Sequence, residues 1–308
     1  MLQALNGNKT AAINKGLHNI REKGMSVFIM TRILAFFFVL TTLFVFPLQS
    51  QETTPVPVLP QGNFEKLRIT ATKYVKQVID PVRVQLDDGQ IVQLVPLDIP
   101  DMDGFDAGDN AAAALEFLQG LLSGKAVNLY QTKNSDKGRT NRMGHILAHL
   151  ELKNDKTWVQ GALIASGYAR IRPTKDNTEM AGQMLALEKQ AQTEKRGLWT
   201  DENETVKIYT PEDADGAMNG WAVVEGTVYS LATVSNTLYL NFGQNWRKDF
   251  TIGIPSDVRR QLSRAGINPT MDYAGKTLRV HGWVEDYNGP YIELLHPAWI
   301  EIVPENTE

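Results

Sequence analysis

The sequence predicts a mainly β protein of the α+β class, built as two successive β-rich regions. Three observations support this. Between residues 69 and 152, three β-rich stretches, a helix and two more β-rich stretches follow in order, and two helices close the region. Between 220 and 304, strands, one helix and further strands recur at short spacing. The chain has 308 residues, and single cores rarely grow past about 250 residues.

Residues 1–50 read as a secretory signal or an N-terminal anchor. Arg32 precedes the uncharged run "ILAFFFVLTTLFVF", and "PLQSQETTPVPVLP" follows. A basic flank, an apolar run and a small residue before a polar, proline-containing stretch form an export signal, with cleavage expected after Ser50. The alternative is an uncleaved anchor, although a spanning helix needs about 20 apolar residues. Export to the periplasm or outside the cell is the expectation, with any membrane attachment confined to this segment. Residues 51–63 are a proline-containing linker.

The elements then follow. "ITATKYVKQVI" (69–79) and "VRVQL" (82–86) are rich in β-branched residues. "DDG" (87–89) is a hairpin turn in which Gly89 takes positive φ. "QIVQLVPL" (90–97) returns as a strand. "DNAAAALEFLQGLLSG" (109–124) is a helix capped by Asp109 or Asn110 and stopped by Gly124. "AVNLY" (126–130) and "HILAHLEL" (145–152) are strands on either side of the basic loop 132–144. A short helix ends at Gly167, 168–172 is extended, and 177–199 is a longer amphipathic helix. Residues 201–219 form an acidic linker. After it, 221–243 and 249–254 are strands, 256–266 is a helix, and 277–297 is a hairpin around "YNGP" with its Asn-Gly turn signal. A small barrel over 220–304 fits this order.

The chain has no cysteine, which excludes disulfides, zinc–thiolate sites and cysteine nucleophiles. Residues 1–50 hold five basic residues and one acidic, leaving 26 Lys and Arg against 34 Asp and Glu in the remainder. A body of that sign is a poor non-specific binder of polyphosphate chains, whose affinity comes mostly from phosphate neutralisation.

Four stretches in the first region resemble the staphylococcal nuclease (thermonuclease) family. They are "VRVQLDDGQIVQLVPLDIPD", "DKGRTNRMGHILAHLEL", "WVQGALIASGYARI" and "MLALEKQAQTEKRGLW". The resemblance covers about residues 65–200 and implies an OB-fold barrel with packed helices over 64–200. Residues 220–304 are similar to a module that follows the nuclease-like domain in exported bacterial proteins, and an OB-like fold is expected there too.

The resemblance also implies a chemistry. Carboxylates hold Ca²⁺, which demands oxygen ligands; a glutamate orients water; two arginines stabilise charge on the phosphorus. Carried over by position, Asp98 is a retained metal carboxylate, and Asp101 stands where the glutamate would be. Val82 replaces the other metal-binding Asp, leaving Asp80 close by. Gln93 and His145 replace the two arginines, and His145 is also a candidate acid–base group, set against an ordinary loop or strand-start residue. Arg139 and Arg142 lie near but offset. Losing one preorganised donor costs about 10²–10³ in rate, so the resemblance implies a degenerate nuclease, with Ca²⁺ relevant only if activity survives. Read without the resemblance, Asp98 and Asp101 are loop-start residues that cap backbone groups.

Candidate nucleic-acid contacts are Lys133, Lys137, Arg139 and Arg142 in the basic loop, and Trp246, Arg247 and Lys248 beside Tyr239 and Phe242. The bland reading is a solvated loop for the first group and barrel core for the aromatics. The expected functions are binding of a nucleic acid or an envelope protein, a Ca²⁺-dependent phosphodiesterase, or an envelope scaffold.

Overall fold

A computed structural model describes residues 59–102, 108–200, 206–245 and 247–304. The expected export segment, Trp246 and part of the acidic linker lie outside the described residues. Among the described residues no helix is long and apolar enough to cross a membrane.

The first region runs β1 (Leu67–Asp80), β2 (Arg83–Leu86), β3 (Ile91–Leu94), β4 (Leu97–Asp98), α1 (Asp109–Leu122), β5 (Ala126–Thr132), β6 (Ile146–Leu152), α2 (Val159–Ala165), β7 (Arg170–Ile171) and α3 (Ala181–Thr193). Five of these strands close a barrel in the order β1-β2-β3-β6-β5. Closure depends on β1. Its register shifts between Ile69 and Ala71, Val75 and Gln77, and Val78 and Asp80. Such irregularities bend a strand and raise its twist, so β1 pairs with β5 along its first half and with β2 along its second. Val84, Leu86, Val92, Leu94, Leu129 and Leu150 fill the interior. Burying each such side chain contributes about 1.5–3 kcal/mol. The "DDG" turn joins β2 to β3 with Gly89 at φ 85°.

The structure breaks the expected strand 90–97 in two. β3 stops at Leu94 after pairing in parallel with β6. Pro96 has no N–H to continue a ladder, and the chain leaves the barrel. Leu97 and Asp98 instead pair antiparallel with Ile171 and Arg170. The expected helix 177–199 is also shorter. It ends at Thr193, Lys195 takes φ 51°, and "GLW" forms a separate turn in which Leu198 is buried.

The second region holds β8 (Ile208–Tyr209), β9 (Gly220–Thr227), β10 (Ser230–Val234), β11 (Thr237–Asn241), β12 (Thr251–Ile254), α4 (Ser256–Arg264), α5 (Pro269–Asp272), β13 (Thr277–Asp286), β14 (Pro290–Glu293) and β15 (Ile300–Ile302). Its sheet runs β10-β11-β12-β14-β13-β9-β8, with β15 on β13. β9 and β10 are consecutive in the chain. Between them Val228 N donates to Lys276 O, and Tyr229 N donates to Asn241 O. The two arms of the sheet therefore meet at this point. As β3 pairs in parallel with β6 in the first barrel, with α1 between them in the chain, so β12 pairs in parallel with β14 here, with α4 between them; β8 also runs parallel to β9. Phe250, Ile252, Leu262, Val280 and Ile292 form its core.

Polar contacts join the two regions. Trp299 Nε1 donates to Thr174 O (2.7 Å), Lys175 Nζ lies 3.1 Å from Asp257 Oδ2, and the Arg172 guanidinium sits 5.2 Å from the Trp221 ring centroid. His281 Nδ1, on β13, lies 3.6 Å from Glu188 Oε2 on α3, and both residues are buried.

Candidate active site of the first barrel

Asp98 stands at the end of β4, opposite Arg170 of β7. Arg170 Nε donates to Asp98 Oδ2 at 2.6 Å, and each side chain is less than a fifth exposed. The carboxylate that ends the "LVPLD" run is therefore held by a cation. The sequence shows Arg170 only as one residue of an extended "YARIR". Nothing local reveals its partner, because the β4–β7 pairing joins positions far apart in the chain.

Asp101 does different work. Its Oδ2 accepts from Asn110 N (3.1 Å) and its Oδ1 from Ala111 N (3.0 Å). These are unsatisfied donors at the start of α1. The expected caps, Asp109 and Asn110, do not serve: the residue before the helix is Gly108, and it makes no side-chain cap bond. A Cβ on Gly108 would collide with the Asp101 carboxylate, so glycine at this position admits the cap. The capping reading of Asp101 describes this contact, although the cap comes from several residues upstream.

Asp80 ends β1, opposite Arg83 of β2. Its Oδ1 accepts from Val82 N (3.0 Å), and its Oδ2 accepts from Arg83 Nε (2.6 Å). Val82, at the position of the lost metal ligand, is buried in the barrel core. A calcium ion takes about six to eight oxygen ligands. Asp80 and Asp98 each carry an arginine, and among the described residues no three acidic or histidine side chains gather to hold a metal. These residues as arranged do not fit a calcium centre.

The two positions expected to carry arginine lie on one polar seam. Asn141 Nδ2 donates to Gln93 Oε1 at 2.8 Å, and the His145 backbone N–H donates to Asn141 Oδ1 at 3.0 Å. His145 is buried, and its Nδ1 has no hydrogen-bond partner. Gln93 and Asn141 line a cavity of about 360 Å³ together with Thr140, Arg172, Lys175 and Asn177. None of Asp80, Asp98 and Asp101 lines it. The structure thus brings Gln93 to the seam that holds His145 and leaves the three carboxylates apart from this cavity. His149 accepts from Trp158 Nε1 (3.2 Å), and burial pushes its pKa down to about 3.

In the basic loop, Arg139 turns inward. Its Nε and Nη2 both donate to Thr132 O at 3.1 Å. Lys133, Lys137 and Arg142 are exposed. In the second region Phe242 packs on Phe250 in the core, with ring centroids 5.1 Å apart. Tyr239 lines a groove instead. Arg247 and Lys248 sit on the loop between β11 and β12.

No curated protein matches the chain. Residues 92–201 match the family model described as Staphylococcal nuclease homologue. That match carries a staphylococcal-nuclease-like domain over residues 92–201, and the closed five-strand barrel is consistent with that fold.

Proposed function

We propose that this is an exported thermonuclease-like protein whose hydrolytic site has degenerated, and which acts by binding a nucleic acid or a protein of the cell envelope. The observation that carries this reading is the Arg170–Asp98 pair at 2.6 Å. The one metal carboxylate retained by position is neutralised by the protein itself. Gln93 and His145 supply no fixed positive charge where a phosphodiester's developing charge needs it, and a preorganised donor of that kind is worth about 10²–10³ in rate. Effects of residues that act as a unit do not simply add, yet several such losses together leave little hydrolysis.

Binding by the first barrel would use the polar seam of Gln93, Asn141 and His145 and the exposed cations Lys133, Lys137 and Arg142. The acidic balance of the body limits non-specific attraction to polyphosphate. Specific recognition of a nucleic acid would weaken with salt, whereas association with an envelope protein through uncharged surface would not.

The test is cleavage of fluorescent single- and double-stranded DNA and RNA, with Ca²⁺ and with chelator, beside Asp98→Ala. The expected result is no cleavage above that variant. Chelator-sensitive cleavage that Asp98→Ala abolishes would instead establish a Ca²⁺-dependent phosphodiesterase.

A further inference from the structure

The second sheet carries a groove of about 290 Å³ that has no counterpart in the nuclease chemistry. Tyr239, Asn241, Thr251, Tyr287, Asn288 and Tyr291 line it. The ladder puts these residues on one face: Tyr239 is opposite Gly253, Asn241 opposite Thr251, and Thr251 opposite Tyr291. Gly253 is part of the design, because a Cβ there would strike the Tyr291 hydroxyl. Two hairpins wall the groove. The β10–β11 turn has both Ser235 and Asn236 at positive φ, and the β13–β14 turn has Asn288 and Gly289 at positive φ. Small barrels with this strand order use this face, and the loops that correspond to these two hairpins, to bind oligonucleotides or oligosaccharides.

Charge decides between those two classes. Among the described residues no lysine or arginine lines the groove. The ladder places Glu285 opposite Tyr291 and Glu293 opposite Gly253, so both carboxylates belong to the groove's face. Burial first, then these carboxylates, push the Tyr291 hydroxyl up. Arg247 and Lys248 belong to a neighbouring loop that abuts Gly289 through the Lys248 carbonyl, and they line no part of the groove. A phosphate chain laid here would find no neutralising group, and such groups supply most of a polyanion's affinity.

A neutral sugar meets no such barrier. Its C–H face packs on tyrosine rings, and Tyr287 and Tyr291 stand with centroids 5.3 Å apart at 57°. Its hydroxyls find Asn288, Asn241 and Thr251, the last two held in place by each other and by Ser230. The volume lies at the small end of ligand pockets and suits roughly one or two sugar rings, with the rest of a chain leaving through the open side. We propose that this tyrosine-lined face of the second sheet is a binding site for a neutral oligosaccharide. The site is independent of whether the first barrel cleaves anything.

The experiment is calorimetric titration of the full chain with neutral tetrasaccharides (chito-, cello- and malto- series) and, separately, with an oligothymidylate. Tyr287→Ala and Tyr287→Phe are run beside the parent, with circular dichroism to confirm the fold. Tyr287 is 54% exposed, so its truncation leaves the core intact. The expected result is binding of at least one tetrasaccharide, insensitive to salt, weakened about tenfold or more by Tyr287→Ala and largely kept by Tyr287→Phe. Three outcomes would overturn the proposal: no tetrasaccharide binding tighter than about 1 mM; sugar binding that Tyr287→Ala leaves unchanged; or salt-sensitive oligothymidylate binding that Tyr287→Ala removes.

Discussion

Asp101 adopts φ 65° and reaches forward to the Asn110 and Ala111 amides, so its carboxylate serves the start of a helix. Asp101→Ala should cost about 1 kcal/mol of stability, in the range of lost helix caps, and Asp101→Asn should recover most of it; urea unfolding measures both. Asp98→Ala should cost more, about 1–3 kcal/mol, because Arg170 is left without its partner in a mostly enclosed position. Glu188 and His281 make a different prediction. Burial pushes Glu188 up from 4.5 to about 7 and His281 down from 6.5 to about 3. Glu188's contribution to stability is therefore full below pH 4.5 and lost as pH rises through about 7. His281's is full above pH 6.5 and lost as pH falls toward 3. Between pH 4.5 and 6.5 the two oppose each other. Relative to the parent, Glu188→Gln should gain stability on going from pH 5 to pH 8, by up to about 3 kcal/mol. Urea midpoints at the two pH values read this, and an unchanged difference would show that Glu188 does not titrate there.

Among the elements, α2 and α3 are locked at one backbone crossing. Gly167 has φ 75°, its carbonyl accepts from Leu198 N at 2.8 Å, and a Cβ on it would collide with the Arg196 carbonyl. Gly167→Ala should cost at least about 2 kcal/mol, from strained φ and a clash that only backbone movement relieves. Gly89→Ala is the control. Gly89 has φ 85° but open space around it, so its cost should be about 1–2 kcal/mol from conformation alone. The turn at Gly89 and the end of α2 at Gly167 were both legible from glycine at the close of a periodic run. The early end of α3 was not, because its apolar spacing continues through "GLW" and only the buried Leu198 fixes where the chain turns. Nor was the Ser235–Asn236 turn legible, since it lacks the Asn-Gly signal seen at 288–289.

Across the whole molecule, the two sheet regions share a buried seam. Trp299, fully buried in the second region, bonds the Thr174 carbonyl of the first, while Arg172 stacks on Trp221 and Glu188 faces His281. Elements joined by buried polar contacts of this kind open together. One cooperative thermal transition is expected by calorimetry, and Trp299→Phe should lower it without splitting it, since the lost hydrogen bond is worth about 1 kcal/mol. Two resolved transitions would show that the regions unfold separately.

The nuclease-like barrel and the missing arginines at positions 93 and 145 were legible through the resemblance to the staphylococcal nuclease family. Local pattern in the sequence determined most of the strands and helices and the turns at Gly89 and at 288–289, which follow from residue type and spacing within a few turns of chain. Only the tertiary structure decided what the carboxylates of "LDIPD" do. Asp98 meets Arg170 across 72 positions, and Asp101 meets α1 across a loop. It also decided that Tyr239 lines a groove while Phe242 enters the core. The reason is physical. Periodicity states which face of a strand a side chain takes, but the partner on that face is set by strand pairing between distant segments, and no local pattern encodes that pairing.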